Sequence, residues 1–548
     1  MLVFLLLILA TAARDLCPTR CRCNNEELQA YCANAALEVV PIQLNPEITS
    51  IDLSDNRIST VHLTLYFYHN LVFLDLARNK IQTLGTSNFE SQRNLKYLNL
   101  SNNDLETLSK DCFKGLKALI ELDLSYNKID VLAKNAFREM HSLQILRLTG
   151  NQIISLEDDL LEPVKSLQQL YLDSNQLLNV PKSAIRHCVK LKVVSLSQNL
   201  LISIDEDYLL ALPELQTLEL SSNVLNDLHP AALSGLSSLE DLDLSDNNFT
   251  AVPTASLTKL SKLKSLRLSG NYFTTVPPVA FRGLFQLKYL RLDRLELLTK
   301  IDSRALVDNI NLEEIWLDDN IALENLPTRL FHGNPKITHI SVRNCKLITL
   351  EVSHFPLDQL KWLKLGGNPL ACNCSILWLW RLVQIQKKRH LANHSEYNDL
   401  LIDADDIVCD GPEPLTGLLL SETTESQVGC SIGWLAAVCA TGSALFLLTI
   451  VVVFLFCGPL KKRGRKKNPQ QSAHHHHHHH HRSRSQNIDE EIHHYEDPMA
   501  SKYVISPPLI GEYKTLPHWE PYAKESSDFC AHQYNDPSHN ARPHIVYV

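Results

Sequence analysis

An asparagine recurs through most of this 548-residue chain at an almost constant interval. It stands at Asn56, Asn79, Asn103, Asn127, Asn151, Asn175, Asn199, Asn223, Asn247 and Asn271, with one step of 23 residues and eight of 24. Each closes the same phrase, L-x-x-L-x-L-x-x-N, as in Leu95-Lys96-Tyr97-Leu98-Asn99-Leu100-Ser101-Asn102-Asn103. Self-similarity at a fixed period of this size marks a solenoid. Within the phrase the leucines alternate with period two, so they face one side of a short strand. One unit cannot bury that face alone, and stacking on its neighbours builds a continuous core. The asparagine turns the chain out of the strand. Its amide can donate to and accept from backbone groups that the turn would otherwise bury unpaired.

The ladder continues with imperfect rungs. Leu295 stands in the asparagine position, Asn320 restores it, Cys345 replaces it and Asn368 closes the series, giving about 14 units. Leucine and cysteine fill the turn but lack the full set of amide bonds. Local irregularities are therefore expected at Leu295 and Cys345, where the spacing lengthens to 25. A second ladder confirms the register. Phe89, Phe113, Phe137, Leu161, Ile185, Leu209, Leu233, Leu257 and Phe281 are spaced by 24, with Leu306 and Phe331 following at 25. These are expected to fill the side of the core away from the strands.

The phrase is that of the leucine-rich repeat, and cysteines bracket the array. Cys17, Cys21, Cys23 and Cys32 precede it, and Cys372, Cys374, Cys409 and Cys430 follow it. Solenoid ends expose an apolar face and need caps. Spacing alone leaves three connectivities for each set of four. The two blocks resemble the N- and C-terminal cysteine caps of single-pass extracellular leucine-rich repeat adhesion and recognition receptors. The resemblance covers residues 17 to 430. It implies an α/β-type solenoid, curved, with short parallel strands on its concave face. It also implies the pairs Cys17–Cys23, Cys21–Cys32, Cys372–Cys409 and Cys374–Cys430. Cys112 and Cys188 lie about three repeats apart, roughly 15 Å at the spacing of neighbouring strands, which is too far for a disulfide. They and Cys345 read as buried free thiols.

The domain reading follows from these boundaries and from composition. Residues 1–13 read as a signal peptide, with a short apolar run ending in Ala10-Thr11-Ala12 but without a basic start. Residues 14–47 form the N-terminal cap, 48–370 the repeats and 371–430 the C-terminal cap. Residues 432–456 carry no formal charge and are long enough for a transmembrane helix. The basic run from Lys461 to Lys467 places the following end on the cytoplasmic side. The expected topology is thus a type I plasma-membrane protein with an extracellular N-terminus. Residues 457–548 are polar and aperiodic and read as a disordered tail. In it, Tyr513-Lys-Thr-Leu516 matches a sorting signal and Tyr495 a phosphorylated docking site. The terminal Val546-Tyr547-Val548 resembles a PDZ ligand. Adaptor or PDZ proteins are the cytoplasmic partners these motifs suggest.

A ligand is expected on the outward x positions of the strands. The position between the last two leucines is expected to be the best exposed. It reads Asp52, Asp75, Asn99, Asp123, Arg147, Tyr171, Ser195, Glu219, Asp243, Arg267, Arg291, Trp316, Ser341 and Lys364. Two residues earlier, the later repeats read Asp241, Ser265, Tyr289, Glu314, His339 and Trp362. The first third is acidic. Further along, acids mix with arginine and large aromatics, the types that dominate protein interfaces. The predicted ligand-binding residues are Tyr171, Glu219, Asp241, Asp243, Arg267, Tyr289, Arg291 and Trp316. Asn99, Asn248 and Asn393 head glycosylation sequons. A glycan on Asn99 would obstruct the N-terminal part of the face. No catalytic motif or calcium-loop spacing is present, and the net charge of −9 does not suggest nucleic acid. Neither an enzyme activity nor a cofactor or bound metal is therefore expected. The resemblance implies a receptor for an extracellular protein or cell-surface partner, in adhesion or neuronal and developmental recognition. The alternative is an innate immune receptor or co-receptor for a microbial lipid or glycan.

Overall fold

In a computed structural model, residues 17–61, 64–391, 400–429, 442–443 and 445–451 are described. Each repeat phrase folds into a strand of three residues. Fourteen such strands, from Ser50–Asp52 to Trp362–Lys364, stand side by side among the described residues. Successive strands are parallel and in register: Tyr97 pairs with Glu121, Leu98 with Leu122 and Asn99 with Asp123. The middle residue of each strand points inward, as Leu98, Leu122 and Leu146 show. Its two neighbours face outward by the period-two rule.

The asparagine ladder works as a hydrogen-bond relay between turns. Asn127 donates through Nδ2 to the carbonyls of Leu100 and Leu124, both at 3.0 Å, and accepts through Oδ1 from the Leu105 N–H at 3.1 Å. Each rung thus satisfies its own turn and the one before. The residue preceding each rung adopts a left-handed backbone, from Asp55 through Tyr126 and Ser222 to Gly367. Few of these positions are glycine, so the relay holds a conformation that costs an L-residue about 1–2 kcal/mol. The irregular rungs differ in bonding. At Leu295 the next rung, Asn320, accepts from the Leu295 N–H itself at 2.8 Å, whereas Asn127 accepts two residues past the preceding rung. At Cys345 the thiol lies 3.2 Å from the Leu317 carbonyl and 3.4 Å from that of Arg343.

The side away from the strands is mostly turns. It carries two four-residue helices, Lys182–Ile185 and Thr254–Leu257, and short strand pairs such as Thr107–Leu108 with Val131–Leu132. The α/β expectation is therefore corrected toward a β-solenoid. About 24 residues per turn leave too little chain for longer helices after the strand and its turns. The second ladder is buried, and the Phe113 ring lies 6.3 Å from Phe89 and 6.1 Å from Phe137.

Both ends of the sheet are covered. Arg22–Asn24 and Gln29–Tyr31 form a hairpin whose second strand pairs with Ser50–Asp52. At the far end Leu401–Ile402 joins Trp362–Lys364. The 15-residue helix Leu377–Leu391 carries Trp380, whose indole N–H reaches the Thr423 carbonyl at 3.0 Å. Disulfides join Cys17 to Cys23, Cys21 to Cys32 and Cys372 to Cys409. Cys374 is disulfide-bonded, and its expected partner Cys430 lies outside the described residues. Cys112, Cys188 and Cys345 are buried free thiols, each pushed up to about 12 by burial.

The expected signal peptide, the Asn393 sequon and the tail with Tyr495, Tyr513 and Val548 lie outside the described residues. Within the expected span 432–456, only residues 442–443 and 445–451 are described, and they are helical and exposed. Among the described residues, no helix is long and apolar enough to cross a membrane. The chain separates into Met1–Gly458, which holds the solenoid, and Pro459–Val548.

Candidate binding face

The strand face presents two outward rows, and the structure reverses their expected ranking. The row at the first strand position is the more open: Phe73, Tyr97, Tyr289 and Trp362 are all exposed there. In the row between the last two leucines Ser195 is fully buried, although Arg291 is exposed. The reason is reach. A serine hydroxyl ends below its longer neighbours, and Ser195 Oγ donates to Glu219 at 2.7 Å.

Five of the predicted ligand residues come together. Asp241, Arg267, Tyr289, Arg291 and Trp316 line an open depression of about 550 Å³. Arg267 is neutralised within it, by Asp241 at 3.1 Å and Asp243 at 3.6 Å. Arg291 is paired more loosely. Its guanidinium lies 4.3 Å from the centre of the Trp316 ring, and its carboxylate neighbour, Asp293, stands 3.9 Å away. Burial pushes the Asp293 carboxyl above its ordinary range, and the nearby Arg291 charge opposes that shift.

Two predicted residues stand apart. Tyr171 stacks on Arg147 at 4.8 Å, and Arg147 in turn binds Glu121 at 3.1 Å. Glu219 is occupied by Ser195. Sequence reading missed Gln216, Glu240 and Lys264, which complete the rim. They occupy the first x of the phrase, just before each strand, and repeat with the same period of 24. Lys264 is paired with Glu240 at 2.9 Å.

The acidic third is differently built. Asp52 accepts from the Ser54 N–H, Asp75 from Ala77 and Asp123 from Ser125. None of the three is in an ion pair among the described residues. Burial, with Asp52 nearby, raises the Asp75 carboxyl above its usual value. Asn99 is held at both ends of its amide, donating to Asp75 at 3.2 Å and accepting from the Ser101 N–H at 3.0 Å. Asn248 is half-buried.

The leucine rich repeat family model matches residues 46–105, 69–129, 93–153, 119–177, 165–225, 189–249 and 238–298. The chain is a leucine-rich repeat protein. Oligodendrocyte-myelin glycoprotein from Homo sapiens is 30% identical over 82 residues, 15% of this chain and 19% of the relative. Chondroadherin from Mus musculus is 36% identical over 78 residues, 14% of this chain and 21% of the relative. The leucine-rich repeat chain thus spans about a fifth of the length of these curated relatives. Among solved structures, a leucine-rich repeat protein of Leptospira interrogans is 25% identical with a TM-score of 0.52. That likeness covers 72% of this chain and 98% of the other.

Proposed function

We propose that this chain is a type I cell-surface receptor that captures a protein ligand on its strand face, in cell–cell adhesion or developmental recognition. The anchor in this reading is residues 432–456, and the captured partner is extracellular. The observation that carries it is Arg291, laid over Trp316 and paired at 3.9 Å where Arg267 is paired at 3.1 Å. A guanidinium held flat by an aromatic ring has already lost much of its freedom, so it meets a carboxylate at low entropic cost. Exposed Tyr289 beside it adds rigid apolar area. A microbial lipid would need an apolar cavity, whereas charged and polar side chains make up most of this rim.

The test is capture of partner cells by the full chain displayed on a cell surface. Replacing Arg291 and Trp316 together with alanine is expected to lower capture by at least about tenfold, the scale of losing one interface hot spot. Surface display should stay unchanged, because neither side chain belongs to the core. Capture persisting at full strength would refute the reading.

A further inference from the structure

We infer that the partner of the strand face is a second copy of this chain, docked antiparallel. The acidic end of one face then meets the basic, aromatic end of the other. The inference rests on the strand-face reading and names its partner.

The argument begins with which charges are already satisfied. The mid-face arginines are closed internally: Arg147 binds Glu121 and Arg267 binds Asp241, both at 3.1 Å. Apart from Glu219, which the Ser195 hydroxyl engages, the charges without a close opposite charge lie toward the two ends. At the N-terminal end Asp52, Asp75 and Asp123 hold only backbone and neutral side-chain donors. Toward the C-terminal end Arg291 is paired only loosely, with Asp293 at 3.9 Å, and Lys364 lies over the Trp362 ring at 5.8 Å. Exposed aromatics accompany both sets, Phe73 and Tyr97 with the acids, Tyr289 and Trp362 with the bases.

A two-fold axis lying between the two faces and parallel to the strands tests whether the sets match. With the fourteen repeat strands numbered along the sheet, the axis sets the first against the last, the third against the twelfth and the fourth against the eleventh. Asp52 then faces Lys364, Asn99 faces Trp316, and Asp123 faces Arg291. The axis falls between the seventh and eighth strands, where the open row carries uncharged Val193 and Thr217. Arg147 and Arg267 come opposite one another, but each is already neutralised in its own chain. The fourteen strands extend over roughly 60 Å at the spacing of neighbouring strands. A solenoid of this kind curves around its strand side, so two opposed faces meet first near their ends. That is where the complementary groups stand. An interface of this symmetry must be self-complementary, and separated patches of opposite sign fix its orientation.

The symmetry dictates the test. The full chain is displayed at matched levels on suspension cells that do not adhere by themselves. One variant carries Asp52→Lys, Asp75→Lys and Asp123→Lys; the other carries Arg291→Glu and Lys364→Glu. Wild-type cells are expected to cluster. Either variant alone opposes like charges at both ends and should cluster at least about tenfold less. Mixing the two variants restores opposite charges at both ends and should bring clustering back to the wild-type level. Full clustering of either variant alone, or failure of the mixture to recover while both variants reach the surface, would overturn the inference. Wild-type cells that ignore one another yet capture other cells through Arg291 would overturn it too, while leaving the strand-face reading intact. A sugar on Asn99 in every displayed copy, read by mass spectrometry of its peptide, would also overturn it, because Asn99 stands inside the contact.

Discussion

Asn127 bonds to three carbonyls, those of Leu100, Leu124 and Ser125, and to one N–H, that of Leu105. Alanine at this position would strand several buried polar groups at once. The expected cost is about 3 kcal/mol, from unsatisfied groups worth roughly 1–3 kcal/mol each. Hydrogen exchange checks it: the Leu105 amide should exchange much faster in Asn127→Ala, with the distant Leu225 amide unchanged. Equal rates at Leu105 would show that water replaces the amide without loss. The rungs themselves were legible in the sequence; their left-handed neighbours were not. Tyr126, Ser222 and Arg294 do not favour that conformation, and only the closed relay imposes it. Other buried amides were also hidden. Gln92, Asn309 and Asn334 fill a position that is apolar at Leu116 and Leu260, and each donates to carbonyls of the preceding turn.

Among the elements, the 3-10 turn Val352–His354 carries a proton-dependent contact. The Glu351 N–H donates to His354 Nδ1 at 2.9 Å, which requires the ring to be unprotonated there. Burial holds His354 below the ordinary imidazole value. A folded pKa below the unfolded one means that this stability is present above about pH 6.5 and is lost as pH falls toward the folded value. Thermal unfolding should therefore move to lower temperature between about pH 7.5 and pH 5.5. The slope should be shallower in His354→Gln; an unchanged slope would assign it elsewhere. His339, also lowered by burial, acts with the same sign and contributes to the slope that remains. Which histidines behave this way was not readable from the sequence, because their burial comes from neighbouring turns.

At the scale of the molecule, stability depends on the ends. Stacked units share their core with neighbours only, so an uncapped end frays inward. The C-terminal cap is fastened by more than its disulfide. Asp403 accepts from the Leu365 and Gly366 N–H groups, both at 2.8 Å, and Arg343 stands 3.3 Å from the same carboxylate. Loss of the Cys372–Cys409 bond through Cys409→Ser is expected to cost about 2–5 kcal/mol. It should sharply reduce the amount of chain reaching the cell surface, measured by labelling intact cells. Normal surface amounts would mean that the Asp403 contacts and the Cys374 disulfide suffice to hold the cap.

The repeat, its count, the faces of each strand and the closed ends follow from the amino-acid pattern alone, because a fixed period leaves one way to bury so many leucines. The pattern also puts Arg267, Tyr289, Arg291 and Trp316 on the outward rows. Which of them are left open to a ligand is set by how the turns stack. Arg267 and Arg291 are indistinguishable in the pattern, yet one is closed by Asp241 and Asp243 and the other lies over Trp316 with its carboxylate neighbour 3.9 Å away. The same stacking that carries the row also brings Arg294 to Asp246, 48 residues away, and Arg343 to Asp406. Such pairings depend on distances between whole turns, which no local pattern of residues encodes.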